Sequence, residues 1–353
     1  MRFFLGGYST DLHLAELDTE DGSISIVSTV TTPQNASFLR YVPEVSVVYA
    51  TVEAGSKAGE SGKIAAYRLE GDTLSPIGTR ESCGAGPCHI GIDRDRKLLA
   101  AANYGGASFG VIRIAGDGTL GDQAACVMHE GSSVNSKRQT EPHPHATTFS
   151  PDGTYLYVCD LGTDTVMRYE ASALAGGDST GSVAAAVPPG SGPRHLELTP
   201  DGRFAYLINE LSNTVIVYSC DAGDGSLTQV QEISTLPDDY TGESYSAEIQ
   251  IHPNGRFVYG SNRGHNSIVV YARDETSGKL ETAGYFDANG RDPRHFQIEP
   301  VGAWCVVANQ GSGNVSSFRI DARTGIGTWS GKTIHSESPS CAEFVPPVAN
   351  QGE

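Results

Sequence analysis

The sequence has no run of 18 consecutive apolar residues, which excludes a conventional membrane-spanning helix. Its first ten residues, MRFFLGGYST, turn polar too early for a secretory signal peptide. Together these two features predict a cytoplasmic protein with no membrane partner.

Cysteine is scarce and irregularly placed, with seven residues in 353 and no Cys-x-x-Cys pair. An odd number at scattered positions disfavours a disulfide framework and a zinc site, and it favours small buried side chains in a reducing compartment. The sequence also lacks the fingerprints of a phosphate-binding P-loop, a GxGxxG dinucleotide site and a GxSxG nucleophile elbow. We therefore predict no metal and no cofactor.

Positive charge is also in short supply. Lysine and arginine number 24 against 42 acidic residues, which gives a net charge of −18. This balance argues against nucleic acid and against an anionic membrane as partners. An acidic protein that binds an anion must gather arginines locally against its own field, so any cluster of arginines is informative.

Turn residues, in contrast, are abundant: the chain has 42 glycines and 18 prolines, and its β-branched and aromatic residues come in short bursts. The stretch GPRHLELTPDGRFAYLINELSNTVIVY, residues 192–218, shows the basic unit. Two alternating apolar runs flank a Pro-Asp-Gly turn, and a third run follows. This pattern is typical of an antiparallel meander.

The same unit recurs along the whole chain. Equivalent positions near the start of its first strand, on average about 50 residues apart, are Phe38, His89, His145, His195, Glu248, His295 and Cys341. That period, with three or four strands per unit, is typical of a β-propeller blade. Six units are complete, and the seventh combines one C-terminal strand with three N-terminal strands, which leaves no open sheet edge. The sequence thus predicts an all-β, seven-bladed propeller of four-stranded antiparallel blades, forming a single domain over residues 1–353.

Loop lengths give the predicted propeller a polarity. If the first strand of each blade descends from a top face, the Pro-Asp-Gly turns lie at the bottom. The long segments 54–62, 121–142 and 235–245 then all lie at the top. Long loops on one rim of a rigid scaffold are where function is usually placed.

Several charged residues and histidines are predicted to converge on that rim, close to the central channel, because they start a first strand or end a second one. The catalytic candidates are Glu210, His145 and Arg194, and the substrate-binding candidates are Arg263, His143, His195, Arg294 and Glu248. Arginine suits carboxylate or phosphate because its planar fork pairs bidentately and stays charged. The predicted partner is a small anionic molecule.

Simpler interpretations exist for some of these positions. The Arg-His pairs at strand starts could merely hydrogen-bond the preceding loops. Asn103, Asn209, Asn262 and Asn309 recur at equal positions, which favours turn residues. His143 and His145, two residues apart, could bind a metal, but no third ligand stands at a telling spacing.

Three stretches, GPRHLELTPDGRFAYLINELSNTVIVY, EPHPHATTFSPDGTYLY and IHPNGRFVYGSNRGHNSIVVY, closely resemble the lactonase family of seven-bladed propellers. That family includes propeller-type 6-phosphogluconolactonases and carboxy-cis,cis-muconate cyclases, and the resemblance extends over essentially the whole chain. It implies metal-free chemistry on a lactone that bears acidic groups. The implied site residues are His145, Arg194, Glu210 and Arg263, whereas Glu248 departs from the Arg-His pattern of its blade.

The expected activity is therefore hydrolysis of a sugar lactone, most plainly 6-phosphogluconolactone. Glu210 or His145 would take a proton from water, Arg194 would stabilise the oxyanion, and Arg263 with Arg294 would hold the phosphate. Two alternatives remain open at this level: a lactonising enzyme similar to the muconate cyclases, and a non-enzymatic binding propeller. A binding propeller would not need a convergent set of arginine, glutamate and histidine at its rim.

Overall fold

The computed structural model describes residues 1–55 and 61–346, and these residues form seven four-stranded antiparallel sheets. The innermost strands of neighbouring sheets contact one another around a central channel. This arrangement is a seven-bladed β-propeller, as predicted.

The N-terminal strands β1 (Arg2–Gly7), β2 (Asp11–Leu17) and β3 (Ile24–Thr31) complete the last blade around β28 (Pro339–Phe344). β1 pairs antiparallel with β28, with Phe3 opposite Phe344. The predicted closure of the ring by both termini is confirmed, and it removes the two open edges that a six-and-a-half-blade ring would expose.

The other six blades follow in chain order, each from its inner to its outer strand. Blade 1 contains β4 (Leu39–Val42), β5 (Val47–Val52), β6 (Lys63–Glu70) and β7 (Thr73–Glu81). Blade 2 contains β8 (Pro87–Ile92), β9 (Leu98–Asn103), β10 (Ser108–Ile114) and β11 (Leu120–Met128). Blade 3 contains β12 (Pro144–Phe149), β13 (Tyr155–Asp160), β14 (Thr165–Glu170) and β15 (Gly181–Ala186).

Blade 4 contains β16 (Pro193–Leu198), β17 (Phe204–Asn209), β18 (Thr214–Cys220) and β19 (Leu227–Ser234). Blade 5 contains β20 (Tyr245–Ile251), β21 (Phe257–Arg263), β22 (Ser267–Arg273) and β23 (Leu280–Asp287). Blade 6 contains β24 (Pro293–Ile298), β25 (Trp304–Asn309), β26 (Asn314–Ile320) and β27 (Gly327–His335). The helical elements in the described part of the chain are a 3-10 turn (Pro43–Val45) and one short helix, α1 (Ala171–Ala175). No helix in that part is long and apolar enough to cross a membrane.

The turns between the first and second strands of blades 3 to 6 use glycine for a specific reason. In blade 4, Gly202 has a φ of 70° and its N–H donates to the Thr199 carbonyl at 2.8 Å. Glycine adopts this left-handed conformation with less strain than a residue that carries a Cβ atom. The Pro-Asp-Gly signature is therefore a structural feature of the blade.

A buried tyrosine on the second strand links four of the blades to the next blade. The hydroxyls of Tyr49, Tyr157, Tyr206 and Tyr259 donate to backbone carbonyls of Gly118, Gly225, Gly278 and Gly325, at 2.7–3.0 Å. Each such bond contributes about 1 kcal/mol and pairs a polar group that burial would otherwise leave unsatisfied. The ring is thus held between blades by polar as well as apolar contacts.

The first strand of several blades carries a β-bulge near its start. In β16, Pro193 pairs with Asn209 and His195 with Ile208, so that Arg194 has no partner residue on β17. The same irregularity makes Cys88, His145 and Arg294 the bulged residues of blades 2, 3 and 6. Bulges redirect a side chain, and these four lie at the same end of the channel.

This register corrects one sequence equivalence. His145 had been aligned with His195, yet the bulge shows that it corresponds to Arg194 and that Ala146 corresponds to His195. The alternation of proline and histidine in residues 142–145 made the two registers indistinguishable in the sequence.

Two further expectations need correction. The segment 121–142 is not all loop, because β11 extends to Met128 and the connection covers only 129–143. The segment 54–62 falls partly outside the described residues.

The cysteines are not all free: Cys83 and Cys126 form a disulfide with Cα atoms 5.8 Å apart, while Cys88, Cys159, Cys220, Cys305 and Cys341 are free thiols. Sequence spacing did not reveal the pair because Cys83 precedes the first strand of blade 2, whereas Cys126, 43 residues later, lies on its outer strand.

Candidate active site

Three arginines from three parts of the chain converge on the carboxylate of Glu210, which directly follows β17. Arg194 Nε lies 3.2 Å from Glu210 Oε2, and Arg263 Nη2 lies 3.0 Å from the same oxygen. Arg138 Nη2 lies 2.7 Å from Oε1. Glu210 is buried, with 3% of its surface exposed. We call Glu210, the three arginines and the neighbouring His145 the mouth cluster.

The cluster carries an excess of positive charge. Burial alone would raise the pKa of Glu210, but Arg263 and the other cations around it hold that pKa well below its ordinary value. Glu210 is therefore an anion at any physiological pH, and three guanidinium groups surround its single negative charge. Such an excess of buried positive charge favours binding of an additional anion.

Arg194 is fixed in place by several bonds. Besides Glu210, its Nη1 donates to the Ala247 carbonyl at 2.7 Å. Burial, together with repulsion from Arg263 and Arg294, lowers its pKa to about 10. The group stays charged at neutral pH, and its position is set before any ligand binds, which is what an oxyanion-binding group requires.

His145 completes the mouth cluster from the bulge of β12. Its Nε2 lies 3.7 Å from Glu210 Oε2, and the residue is buried. Burial, followed by the charge of Arg194, holds the pKa of His145 well below its ordinary value. A neutral imidazole at pH 7 can accept a proton, whereas an imidazolium cannot.

Two of the predicted site residues, His195 and Glu248, lie one layer deeper in the channel than the mouth cluster. His195 Nδ1 is 3.1 Å and His295 Nε2 is 3.4 Å from Oε2 of the buried Glu248. Their rings pack with those of Phe38 and His89, for example with centroids 4.2 Å apart for Phe38 and His89. We call these five residues the histidine layer. They close the channel beneath the mouth cluster, so His195 and Glu248 support the site from below.

His143 lies beside the mouth cluster. Its ring stacks on Tyr104, with centroids 4.3 Å apart and planes 10° apart, and its Nδ1 is 2.8 Å from the Tyr104 carbonyl oxygen. Tyr104 in turn accepts a hydrogen bond from Arg138 at 3.1 Å. His143 therefore orients Tyr104 at the edge of the site.

Arg294 differs from the other arginines of the channel. It makes no hydrogen bond or ion pair with any residue that the structure describes, and its guanidinium lies 5.3 Å from the centroid of the Tyr8 ring. Tyr8 donates to Glu53 Oε1 at 3.3 Å. Burial raises the pKa of Glu53 even though the charge of Arg294 opposes this. An uncommitted guanidinium at the bulge position is free to bind an anion.

The repeated asparagines make structural contacts at the strand ends, in line with their interpretation as turn residues. Nδ2 of Asn103, Asn262 and Asn309 donates to the backbone carbonyl of Ser82, Thr235 and Ala288, respectively, at 2.7–2.9 Å. These carbonyls lie just beyond outer strands, so the asparagines tie the connections between blades to the second strands. They take no part in the mouth cluster.

Little free space lies on the inner side of the cluster. The cavity between Arg194, Arg294 and the histidine layer is only about 10 Å³, which is far below the roughly 300 Å³ of a typical ligand pocket. Three cavities of about 410–450 Å³ lie near the bottom turns of blades 1 to 4, and none of them contains a mouth-cluster residue. A ligand of the site must therefore approach from the mouth of the channel, where Arg138 stands.

The sequence analysis missed Arg138, Glu53 and Tyr8 as residues of this site. Arg138 could have been found, since it is one of few arginines in an acidic chain and belongs to a long loop on the predicted functional rim. Glu53 and Tyr8 carry no comparable signal in the sequence. They follow strands of blade 1 and of the ring-closing blade, and only the packing of these blades around the channel brings them near Arg294.

Comparisons with known proteins identify the family of the chain. Residues 2–344 match the family described as Lactonase, 7-bladed beta-propeller. The 6-phosphogluconolactonase of Bacillus subtilis is 31% identical over 96% of this chain and 95% of its own length. The 6-phosphogluconolactonase of Formosa agariphila is 33% identical over 91% of this chain and 93% of its own.

Among solved structures, the periplasmic gluconolactonase of Pseudomonas aeruginosa superposes with a TM-score of 0.89 at 30% identity, over 98% of both chains. Since that relative is described as periplasmic, the cytoplasmic location of the present chain stays a prediction. The names of these relatives bear out the expectation of a lactone-hydrolysing enzyme. By sequence, by fold and along nearly its whole length, the chain belongs to the lactonase family of seven-bladed β-propellers.

Proposed function

We propose that this protein hydrolyses a phosphorylated sugar lactone, 6-phosphogluconolactone being the substrate of choice. The observation that carries the proposal is the convergence of Arg138, Arg194 and Arg263 on the single carboxylate of Glu210, beside His145. This site offers more positive charge than the protein itself neutralises, which suits a substrate with a dianionic phosphate.

His145 is the proposed general base. Glu210 is a poor base because the surrounding arginines stabilise its anion, whereas His145 is neutral before the reaction. The imidazole takes a proton from water as the water oxygen attacks the lactone carbonyl. The imidazolium that forms is stabilised by Glu210, 3.7 Å away, and by the negative charge that the substrate brings.

Arg194 is the proposed oxyanion-binding group. The tetrahedral intermediate carries its negative charge on the former carbonyl oxygen, and a preorganised buried guanidinium stabilises that charge without rearranging. Collapse of the intermediate breaks the bond to the ring oxygen, which takes the proton back from His145. The products are a carboxylic acid and a free hydroxyl group, so the reaction consumes one water.

Arg263 is the proposed holder of the substrate's charged group, and Arg294 adds an uncompensated positive charge from deeper in the channel. Arg294 has no protein partner among the described residues, and Arg263 keeps its Nη1 uncommitted there while its other nitrogens contact Tyr245, Ser246 and Glu210. Because a δ-lactone already opens readily in water, the acid–base and oxyanion contributions, each about 10²–10³-fold, are sufficient.

The test is a comparison of freshly prepared 6-phosphogluconolactone with unphosphorylated gluconolactone and a muconolactone, each corrected for spontaneous opening. The proposal predicts that kcat/KM is highest for the phosphorylated lactone. Fastest turnover of the muconolactone would instead favour a reaction similar to that of the muconate cyclases. Turnover of none of the three would reject the proposal.

A further inference from the structure

The loop of residues 129–143, between blades 2 and 3, carries Arg138 over the mouth of the channel. The loop is held to blade 3 by the buried Gln139, whose Nε2 donates to the Leu161 carbonyl at 2.8 Å. Gln139 Oε1 accepts from the Asn135 N–H at 3.1 Å, and Ser133 Oγ donates to Asp164 Oδ2 at 2.5 Å. These hydrogen bonds fix the position of the loop relative to blade 3.

Arg138 is the outermost of the three arginines around Glu210. The exposed fractions of the side chains are 3% for Arg194, 14% for Arg263 and 34% for Arg138. Arg138 is thus the member of the cluster that a ligand arriving from the open face meets first.

Its bonding leaves most of the guanidinium available. Nη2 donates to Glu210 Oε1 and to the Tyr104 hydroxyl. Its Nε and Nη1 have no hydrogen-bond partner within residues 1–55 and 61–346. The guanidinium carbon is 5.9 Å from the centroid of the Tyr245 ring. Tyr104 and Tyr245 flank the group while one edge of the fork faces solvent.

Glu210 does not depend on Arg138 alone. Its Oε2 is held by Arg194 and Arg263, so Arg138 can exchange Glu210 for another anion without leaving the carboxylate unpaired. The reacting carbonyl belongs next to Arg194 and His145 in the deep part of the cluster. The far end of the same substrate then reaches outward towards Arg138.

We propose that Arg138 binds the phosphate of the substrate together with Arg263, and that Arg138 thereby sets the preference for phosphorylated over unphosphorylated lactones. The inference rests on the proposed function for its substrate class. On binding, the guanidinium fork donates to phosphate oxygens in a planar, bidentate geometry that a lysine does not reproduce. Arg138 is a specificity-determining residue in this scheme and takes no part in proton transfer.

The test compares wild type, Arg138→Ala and Arg138→Lys on 6-phosphogluconolactone and on unphosphorylated gluconolactone. Arg138→Ala is expected to lower kcat/KM for the phosphorylated lactone by about 10- to 100-fold, mainly through KM. On the unphosphorylated lactone the change is expected to stay below about 3-fold. Arg138→Lys should recover part of the loss. Equal losses on both lactones would overturn the proposal, since Arg138 would then act through Glu210.

Lys137→Ala is the matched control. It removes one positive charge from the same loop, but Lys137 is exposed and its backbone N–H, which the substitution preserves, makes the loop contact to Asn135. Both rates should match wild type in this variant. A comparable selective loss in Lys137→Ala would attribute the effect to the charge of the loop and reject a specific role for Arg138.

A binding measurement separates this inference from the proposed function. Inorganic phosphate and 6-phosphogluconate should raise the thermal midpoint of wild type more than that of Arg138→Ala, with sulfate-free buffer as the reference. If wild type hydrolyses neither lactone, the proposed function fails, while a phosphate-dependent shift that requires Arg138 still identifies the phosphate site. The absence of any difference in shift between the two proteins would reject Arg138 as a phosphate-binding residue.

Discussion

His145 and Arg194 occupy the same bulge position in neighbouring blades, and both reach Oε2 of Glu210, at 3.7 and 3.2 Å. One backbone irregularity, repeated around the ring, thus directs two different chemical groups at one carboxylate. The proposed base and the proposed oxyanion-binding group are positioned by the fold itself, without a dedicated loop.

Arg194→Ala should lower kcat for the lactone substrate by about 10²–10³-fold, because it removes a preorganised group that stabilises the oxyanion. Steady-state kinetics on purified protein measures this. Arg203→Ala is the control, since Arg203 belongs to the same blade but is exposed and pairs with Asp201 in the bottom turn. A folded Arg194→Ala enzyme with wild-type kcat would contradict the assigned role.

The pH profile should show no inflection near the ordinary histidine pKa of about 6.5. Burial and Arg194 hold the pKa of His145 well below that value in the free enzyme, so the base form persists on mild acidification and activity is lost only at lower pH. The measurement is kcat/KM against pH for unphosphorylated gluconolactone, because a phosphate group itself titrates near pH 6.

His145→Asn tests the identity of the base in that profile. It should lower kcat by about 10²–10⁴-fold across the whole range. An acid limb with a midpoint at or above 6.5 in wild type would contradict the low pKa. Near-normal activity of His145→Asn would transfer the role of base to another group.

Glu197, below the histidine layer, should make the protein less stable as pH rises. Burial, opposed by the charge of Arg40, raises its pKa to about 7. The folded state therefore binds a proton more tightly than the unfolded state, and stability falls between about pH 4.5 and pH 7. Glu197→Gln removes this loss and should raise the free energy of unfolding at pH 8 by about 2–3 kcal/mol.

Urea denaturation at pH 8 and at pH 4 measures the difference, which should vanish at the lower pH. Glu337→Gln, at an exposed position, serves as the control and should change neither value. Equal effects of Glu197→Gln at both pH values would show that its ionisation does not oppose folding.

The disulfide between Cys83 and Cys126 predicts a specific thiol count. Unfolded, non-reduced protein should react with five equivalents of a thiol reagent, matching the five free cysteines, and reduced protein should react with seven. Cys126→Ser should raise the first value by one, because it releases the Cys83 thiol. Seven reactive thiols in non-reduced wild type would show that the pair is not formed.

Sequence alone predicted the architecture because the information is periodic. Alternating apolar runs, Pro-Asp-Gly turns and a spacing of about 50 residues repeat so often that errors at single positions do not matter. The split blade followed from the same count, since three strands at one end and one at the other complete a ring.

The site was accessible from sequence where a residue departed from the repeat. Glu210 and Arg263 stand out because they carry charge directly after the recurring asparagine, where blades 2 and 6 have Tyr104 and Gln310, and the structure brings both together with Arg194. His145 was also identified, although its register was wrong by one residue. A β-bulge changes which residue faces the channel without changing the local sequence pattern, so only strand pairing reveals it.

The sequence by itself determined the number of blades, the closure of the ring and the short supply of positive charge that makes gathered arginines informative. Only the tertiary structure decided that Arg138 joins Glu210, that Arg294 has no partner among the described residues, and that Glu248 lies in a layer beneath the site. These features depend on contacts between blades, and no local propensity encodes such contacts. Nor does the linear spacing of cysteines show that Cys83 and Cys126 meet across blade 2.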